Sequence, residues 1–352
     1  MPKPKLLVLH GMGAHSAEQI KQTVIDAANS ALHRYKRFES VQFENEVSVV
    51  GIGYDDIFDQ ERKRLVKNNQ TVSDYLKTNK KIDKGFLSKI VKLESDIGAD
   101  SFLNTHALDV IFYLTLKGEE VRLRVVKEIA DAWANRRNED MHIMGHSLGT
   151  AVLHDTMYKA YTGGIDGHKL NCVTHKFNSL WMIANVSNLT YELSPFGIKF
   201  DPFKSKVRPS FADDGCVEEF YNFWHTLDPF TLFHRFAPKN DGSWLPESIY
   251  DELYKPKEIS TIGGSLNPHD LTEFISNPYV SYRFLKRIMP ADVFDPTLEE
   301  VNKADAKHKN LDSEYKKIAK HIKGIKKIDD IEAFVIAVKE FEEYVEKLKG
   351  SL

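Results

Sequence analysis

Short apolar runs and stretches of helical periodicity alternate along most of the chain. The first run, at residues 6–9, is followed by apolar positions at helical spacing and then by a second run at 47–52. Continuous apolar runs of this length are typical of strands buried on both faces of a parallel sheet. Further strands are predicted at 141–144, 180–184, 217–224 and 259–262. This order predicts an α/β fold with a mostly parallel, doubly wound sheet.

Two regions depart from this alternation. Residues 54–116 combine a helical apolar stripe with an excess of Lys and Arg, and they are too long for an ordinary connection, so we predict a helical cap insertion there. The stripe consists of Phe86, Ile90, Leu93 and Ile97. Near the C terminus, apolar positions at alternating spacings of three and four predict an antiparallel helical hairpin. We therefore expect an α/β domain over 1–290 and the hairpin over 291–352.

Composition narrows the classes of partner and compartment. The formal net charge of -3 argues against nucleic acid as the main partner, because phosphate binding needs a basic excess. The two cysteines, Cys172 and Cys216, form no CxxC pair, which fits a reducing compartment rather than a disulfide framework or a zinc site. No apolar stretch approaches the ~20 residues of a membrane span, so we expect a cytoplasmic protein.

The segment Gly145-His146-Ser147-Leu148-Gly149 matches the GxSxG pattern of a nucleophile elbow. The elbow needs a serine on a sharp turn between a strand and a helix, with glycines that relieve crowding. A predicted strand precedes the motif, and small residues typical of a tightly packed helix follow it. We therefore predict that Ser147 is a catalytic nucleophile.

The loop after the first predicted strand, His10-Gly11-Met12-Gly13, lies where an oxyanion loop would be expected. Glycines there let the main chain approach a substrate and direct an N–H at its oxyanion. We predict an oxyanion hole formed by the main chain at Gly11 or Met12 together with Leu148, the residue after the nucleophile. A phosphate-binding loop is a poorer interpretation, because no Lys-Ser/Thr pair follows the glycines.

The acid and the base of a triad should follow the serine in that order. Asp228 lies just beyond the strand predicted to end near residue 224, whereas Asp201 and Asp213 do not directly follow an apolar run. His269 lies in a loop between the last predicted strand and a helix. His225 precedes Asp228, and His234 follows it too closely for another strand to intervene. The predicted triad is therefore Ser147, Asp228 and His269, and neither a metal nor another cofactor is expected.

With these residues in place, the chain resembles the α/β-hydrolase superfamily from residue 6 to about residue 289. Within it, the chain is similar to intracellular lipase-like serine esterases, including DDHD-type phospholipases and related bacterial hydrolases. The resemblance rests on residues 8–13 (VLHGMG), 107–113 (ALDVIFY) and 145–150 (GHSLGT), and residues 269–278 add to it. It implies the same triad and hydrolysis of a carboxylic ester, with a lipid ester among the candidates.

Several alternatives stay open at this point. Thioesterase or peptidase chemistry would use the same triad, and a hydrolase scaffold can also serve as a partner-regulated effector or interaction module. An acyl ester or lipid is the expected substrate. The lysines of the insertion could meet anionic head groups at a membrane surface, and the C-terminal hairpin could mediate oligomerisation or bind a protein partner.

Overall fold

The computed structural model of the protein describes residues 2–11, 16–68, 70–77, 84–97, 108–194, 203–232, 234–263, 265–308, 311–322 and 328–350. Six strands form one sheet in the order β2-β1-β3-β4-β5-β6, and all neighbouring strands are parallel. Their bounds are Lys5–Leu9 (β1), Ser48–Ile52 (β2), Met141–His146 (β3), Phe177–Ile183 (β4), Val217–His225 (β5) and Tyr254–Ile259 (β6). The predicted α/β fold with a parallel sheet is confirmed.

The bounds predicted for the sixth strand, 259–262, are wrong. The strand runs from Tyr254 to Ile259 and therefore ends where the prediction began it. Because β6 is an edge strand, its central residues Lys257 and Glu258 are exposed and polar, and Pro256 is tolerated beside them. An edge strand of this kind leaves no continuous apolar run for sequence reasoning to find.

The described residues include fifteen α-helices, α1 to α15. They also include a short 3₁₀ turn at Lys36–Phe38 and a helical stretch over 108–117, which is π-helical at Tyr113–Lys117. None of these helices is both long and apolar enough to cross a lipid bilayer. Their bounds are Ala17–Leu32 (α1), Phe43–Glu46 (α2), Asp55–Lys67 (α3), Val72–Lys77 (α4), Lys84–Ile97 (α5), Gly118–Ala134 (α6), Leu148–Thr162 (α7), Ser187–Leu193 (α8), Pro229–Leu232 (α9), Glu247–Leu253 (α10), Leu271–Ser276 (α11), Pro278–Ile288 (α12), Leu298–Asp305 (α13), Asp312–Ile322 (α14) and Ile331–Lys349 (α15).

Helices cover both faces of the sheet. Successive side chains of a strand point to opposite faces, so Leu6 and Val8 of β1 pack with α1, α11 and α12. Leu7 and Leu9 pack on the other face in a core that includes α6, α7 and α15. The sheet is thus buried on both sides, which accounts for the continuous apolar runs of its central strands.

The two regions that depart from the alternation contact each other. Phe86 and Ile90 of the predicted apolar stripe are buried in the core, whereas the side chains of Leu93 and Ile97 lie outside the described residues. Helices α14 and α15 contact each other as the predicted hairpin requires, and α15 also contacts α5 and α9. The division into 1–290 and 291–352 stays a prediction.

The strand order places a crevice at one edge of the sheet. Strand β2 lies on one side of β1, and the next strand along the chain, β3, lies on the other side of β1. At such a reversal, the connections after the two strands leave in opposite directions, and a crevice opens beyond the carboxyl ends. The loops that begin at His10 after β1 and at Ser147 after β3 meet at this point.

Candidate active site

Ser147 occupies a sharp turn between β3 and α7. The strand ends at His146 and the helix begins at Leu148, so a single residue makes the connection. Ser147 has φ 53° and ψ -128°, a combination that costs a non-glycine residue energy and is held only by its surroundings. Its N–H donates to the carbonyl of Ile183 at the end of β4 (3.1 Å). This arrangement matches the strand–turn–helix setting that the sequence motif predicts.

Two glycines allow the loop after β1 to lie against this turn. A Cβ atom on Gly149 would come within 2.1 Å of the His10 carbonyl oxygen. A Cβ atom on Gly11 would come within 2.5 Å of the Ser147 Cβ and 3.0 Å of its Oγ. Any side chain at these positions would therefore push the two loops apart. The main chain of Gly11 lies directly beside the Ser147 hydroxyl.

The three predicted triad residues form one chain of hydrogen bonds. The Ser147 Oγ lies 2.7 Å from His269 Nε2, and His269 Nδ1 lies 2.9 Å from Asp228 Oδ2. In the neutral tautomer that fits both contacts, the serine hydroxyl donates to Nε2 and the Nδ1–H donates to the carboxylate. All three side chains are buried: Ser147 is 2%, His269 8% and Asp228 0% exposed.

Asp228 is held by its own helix as well as by His269. Its Oδ1 accepts a hydrogen bond from the N–H of Phe230 (3.0 Å), and its Oδ2 accepts one from the Thr231 hydroxyl (3.1 Å). Both donors belong to α9, which begins at the next residue. A buried carboxylate needs such donors, and here they also fix its direction toward the imidazole.

The loop that carries His269 is anchored by a buried carboxylate that sequence reasoning missed. Glu273 of α11 accepts hydrogen bonds from the N–H groups of Gly263 (2.6 Å) and Ser265 (2.5 Å). The His269 N–H donates to Asn267 Oδ1 (2.9 Å), and the His269 carbonyl lies 2.8 Å from His146 Nε2. No sequence signal distinguishes Glu273 from an ordinary acidic residue in the first turn of a helix.

The electrostatic environment of His269 favours its protonated form. Burial is the largest single effect and lowers the pKa of the imidazole, but it is outweighed by the carboxylates around the ring, of which Asp228 contributes most through its charge and its hydrogen bond. Glu342 and Asp270 act in the same direction as Asp228, so the pKa of His269 is raised above its ordinary value. A histidine in this setting can take up a proton from the serine and keep it while charge develops on the substrate.

Two of the three residues predicted for the oxyanion hole can be placed. Leu148 is the first residue of α7, and the N–H groups of a helix's first turn have no acceptor within the helix. Gly11 lies against Ser147 as described, while Met12 lies outside the described residues. The Tyr54 hydroxyl donates to the His10 carbonyl (2.7 Å), which holds the start of this loop in place.

A cavity of about 310 Å³ opens onto the triad. Its lining includes Gly11, Ser147 and His269 from the loops beyond the sheet, and Val338 and Glu342 from the C-terminal helix α15. The sequence gives no reason to expect these last two residues near the site. They lie on a helix that was predicted only as half of a separate hairpin.

An aromatic cluster connects α15 to the triad. Phe230 contacts the His269 imidazole edge to face, with 4.9 Å between the ring centroids. Phe334 and Phe341 of α15 pack against the same phenyl ring at 5.9 Å and 5.5 Å. The C-terminal helix is thus packed on a side chain, Phe230, that also contacts His269.

The alternative acids and bases do not join this chain of hydrogen bonds. His225 contacts the Thr261 carbonyl through Nε2 (3.2 Å), and burial lowers its pKa to about 4. His234 contacts the carbonyl of Ile328 instead. Asp213 is exposed, and Asp201 lies outside the described residues.

No group of three or more His, Cys, Asp or Glu side chains within the described part of the chain is arranged to hold a metal ion. Cys172 and Cys216 are buried free thiols.

No protein-family model matches the chain, and no curated protein matches it.

Proposed function

We propose that the protein is a serine hydrolase of the α/β-hydrolase superfamily that cleaves a carboxylic ester. The observation that carries the proposal is the continuous hydrogen-bonded chain from Ser147 through His269 to Asp228 at the mouth of a cavity. A buried serine on a strained turn, with an imidazole at its hydroxyl and a carboxylate behind that imidazole, is the arrangement that activates a serine for acyl transfer.

In the proposed mechanism, the Ser147 Oγ attacks the carbonyl carbon of the ester while His269 Nε2 removes the hydroxyl proton. The carbonyl π electrons move onto the oxygen, where the N–H of Leu148 and a main-chain N–H of the loop at Gly11 stabilise the charge. The intermediate collapses and expels the alcohol, which takes the proton from His269. Water, deprotonated by the same imidazole, then releases the acid from the acyl-enzyme and restores Ser147.

Asp228 stays ionised throughout and holds the imidazole in the tautomer that presents Nε2 to the serine. The raised pKa of His269 favours the imidazolium that forms in each half-reaction. Thioester and peptide bonds could be attacked in the same way, because the same three residues would activate the serine for each.

A lipid ester is the second candidate, and one feature favours it. An apolar recess borders Leu148, next to the nucleophile, and is lined by side chains that include Leu189, Phe230 and Phe334. Its volume of about 10 Å³ holds no more than one water molecule. An acyl chain could extend there only if side chains that line the recess moved to enlarge it.

Fluorophosphonate labelling followed by an ester panel tests the proposal. A fluorophosphonate should label the wild-type protein and the variant Ser30→Ala, which removes an exposed hydroxyl from α1. Ser147→Ala should not be labelled. Acetyl, butyryl and octanoyl esters of one alcohol then report acyl preference: a rise to octanoyl favours the lipid ester, and a fall beyond butyryl favours a small ester. Full labelling of Ser147→Ala would refute the role of this serine.

A further inference from the structure

The C-terminal helix brings a carboxylate to the catalytic cavity. Glu342 lines the cavity together with Val338, one helical turn earlier, and its side chain is half-buried. No hydrogen bond or ion pair joins this carboxylate to any residue that the structure describes. Its interaction with the protein is electrostatic, chiefly with His269.

Two neighbouring glutamates of α15 are exposed to solvent and lie beside lysines. Glu343 faces solvent 4.0 Å from Lys339, and Glu346 faces solvent 3.0 Å from Lys349. Exposed carboxylates on a helix are ordinary, and pairing at a spacing of three or four residues is common. A carboxylate that lines a cavity loses part of its hydration, and the charge of His269, without a hydrogen bond or ion pair, compensates for only part of that loss.

The remaining cavity lining supplies no fixed positive charge. None of its described residues is a lysine or an arginine, and its other carboxylate, Asp270, caps α11 by accepting from the Thr272 N–H (2.8 Å). The cavity therefore combines two carboxylates with the imidazoles of His10, His146 and His269. Burial raises the pKa of Glu342, partly offset by His269 and Lys349, as expected for a carboxylate that lacks a close cation.

We propose that Glu342 is a specificity-determining residue that binds a cationic group of the substrate, so that the preferred substrate is an ester carrying an ammonium group. This inference rests on the proposed esterase function. An ammonium beside Glu342 would replace the hydration that the carboxylate loses in the cavity. An ester with an anionic group would instead meet two carboxylates, and like charges at short range oppose binding.

Three esters of one acid separate charge from shape. The alcohols are 2-(trimethylammonio)ethanol, its neutral carbon isostere 3,3-dimethylbutanol, and the anionic 2-hydroxyethanesulfonate. Wild-type kcat/KM should fall in the order cationic, neutral, anionic, with about a tenfold preference for the cationic over the neutral ester, which corresponds to one strong, partly solvated charge pair. The preference should weaken as salt is added, because salt screens exposed charges.

Glu342→Gln keeps the shape of the side chain and removes its charge, so the ratio of cationic to neutral kcat/KM should fall toward one. Glu342→Lys should reverse the order and favour the anionic ester. Glu343→Gln, which removes the same charge from the exposed side of the helix, is the matched control and should retain the wild-type ratio. Thermal melting of each variant verifies folding.

The outcomes distinguish the two proposals. If the esters are hydrolysed through Ser147 but the ratio stays the same in Glu342→Gln and Glu342→Lys, the role of Glu342 is refuted and the esterase function stands. If no ester is hydrolysed and Ser147 resists fluorophosphonates, the esterase function fails and the inference fails with it. Rates of phosphonylation by matched cationic and neutral phosphonates give the same comparison without turnover, and equal rates in the wild type would also contradict it.

Discussion

The two sides of the catalytic cavity are built in different ways. On the sheet side, Ser147 and His269 lie in connections that follow strands of the parallel sheet, and Asp228, which contacts His269, lies in another such connection. On the helix side, Val338 and Glu342 lie on α15, a helix near the C terminus that follows the last strand and does not connect two strands of the sheet. In the proposed reaction, the sheet side carries the reacting groups, and the helix side carries a charge that would meet the substrate.

The forces that hold the two sides also differ. Ser147 is fixed by main-chain contacts, namely its hydrogen bond to Ile183 and the close approach of Gly149 to His10. Helix α15 is held by aromatic packing on Phe230, and its N-cap residue Asp330 pairs with Lys89 of the insertion (2.8 Å). Main-chain contacts tolerate almost no displacement, whereas packed side chains can be exchanged. Under the proposed function, the reacting groups are therefore held rigidly on the sheet side, and substrate preference can be altered on the helix side.

The largest expected effect comes from removing the nucleophile on the sheet side. Ser147→Ala should lower kcat/KM on a good ester by about 10⁶-fold, because no other group near His269 can form the acyl-enzyme. The variant should keep the thermal stability of the wild type or exceed it, since the strained turn remains while little packing is lost. Steady-state kinetics and thermal melting measure both. Activity within tenfold of the wild type would rule out this nucleophile.

The next effect concerns the acid of the triad. Asp228→Asn can keep the hydrogen bond from the Phe230 N–H, but it presents an amide NH2 group to the imidazole where Oδ2 was, so the productive tautomer is lost and kcat should fall by up to about 10⁴-fold. Asp213→Asn makes the same change at an exposed aspartate and should leave kcat unchanged. Equal kcat in the two variants would show that Asp228 does not orient the base.

The same division explains how much the sequence could predict. Most central strands and the elbow at Ser147 could be predicted, because an apolar run and a GxSxG turn each consist of consecutive residues. The order of acid and base along the chain was enough to select Asp228 and His269, which the structure brings together. Strand β6 was misplaced because its exposed edge residues carry no apolar run.

The helix side could not be predicted for a different reason. The apolar positions along α15 predict that one face of the helix is buried. The same pattern of positions would arise if that face packed against the other helix of the hairpin, against residues 54–116 or against another chain. Contacts of α15 with α5 and α9 depend on residues far apart in sequence. A role for this hairpin in binding a partner or a second copy stays a prediction.

A third prediction tests the packing of the helix side. Phe341 is fully buried against Phe230, so Phe341→Ala should lower the free energy of unfolding by about 3–5 kcal/mol and also reduce kcat/KM, because Phe230 contacts His269. Ile336→Ala, on the exposed side of the same helix, should change stability by no more than about 0.5 kcal/mol. Urea denaturation measures both. Similar losses in the two variants would mean that α15 is not docked as described.

The smallest expected effect links the two sides through charge. Catalysis needs neutral His269, so kcat/KM is lost as the pH falls through the pKa of this imidazole. Because that pKa is raised, the acid limb should lie above the pH expected for an ordinary histidine. Glu342 contributes to the increase, and Glu342→Gln should therefore move the acid limb toward lower pH. Glu343→Gln should leave it in place. A neutral ester is the substrate of choice, since its own charge does not change with pH. If the limb does not move in Glu342→Gln, the helix side is electrostatically separate from the triad, and the two sides share only a cavity.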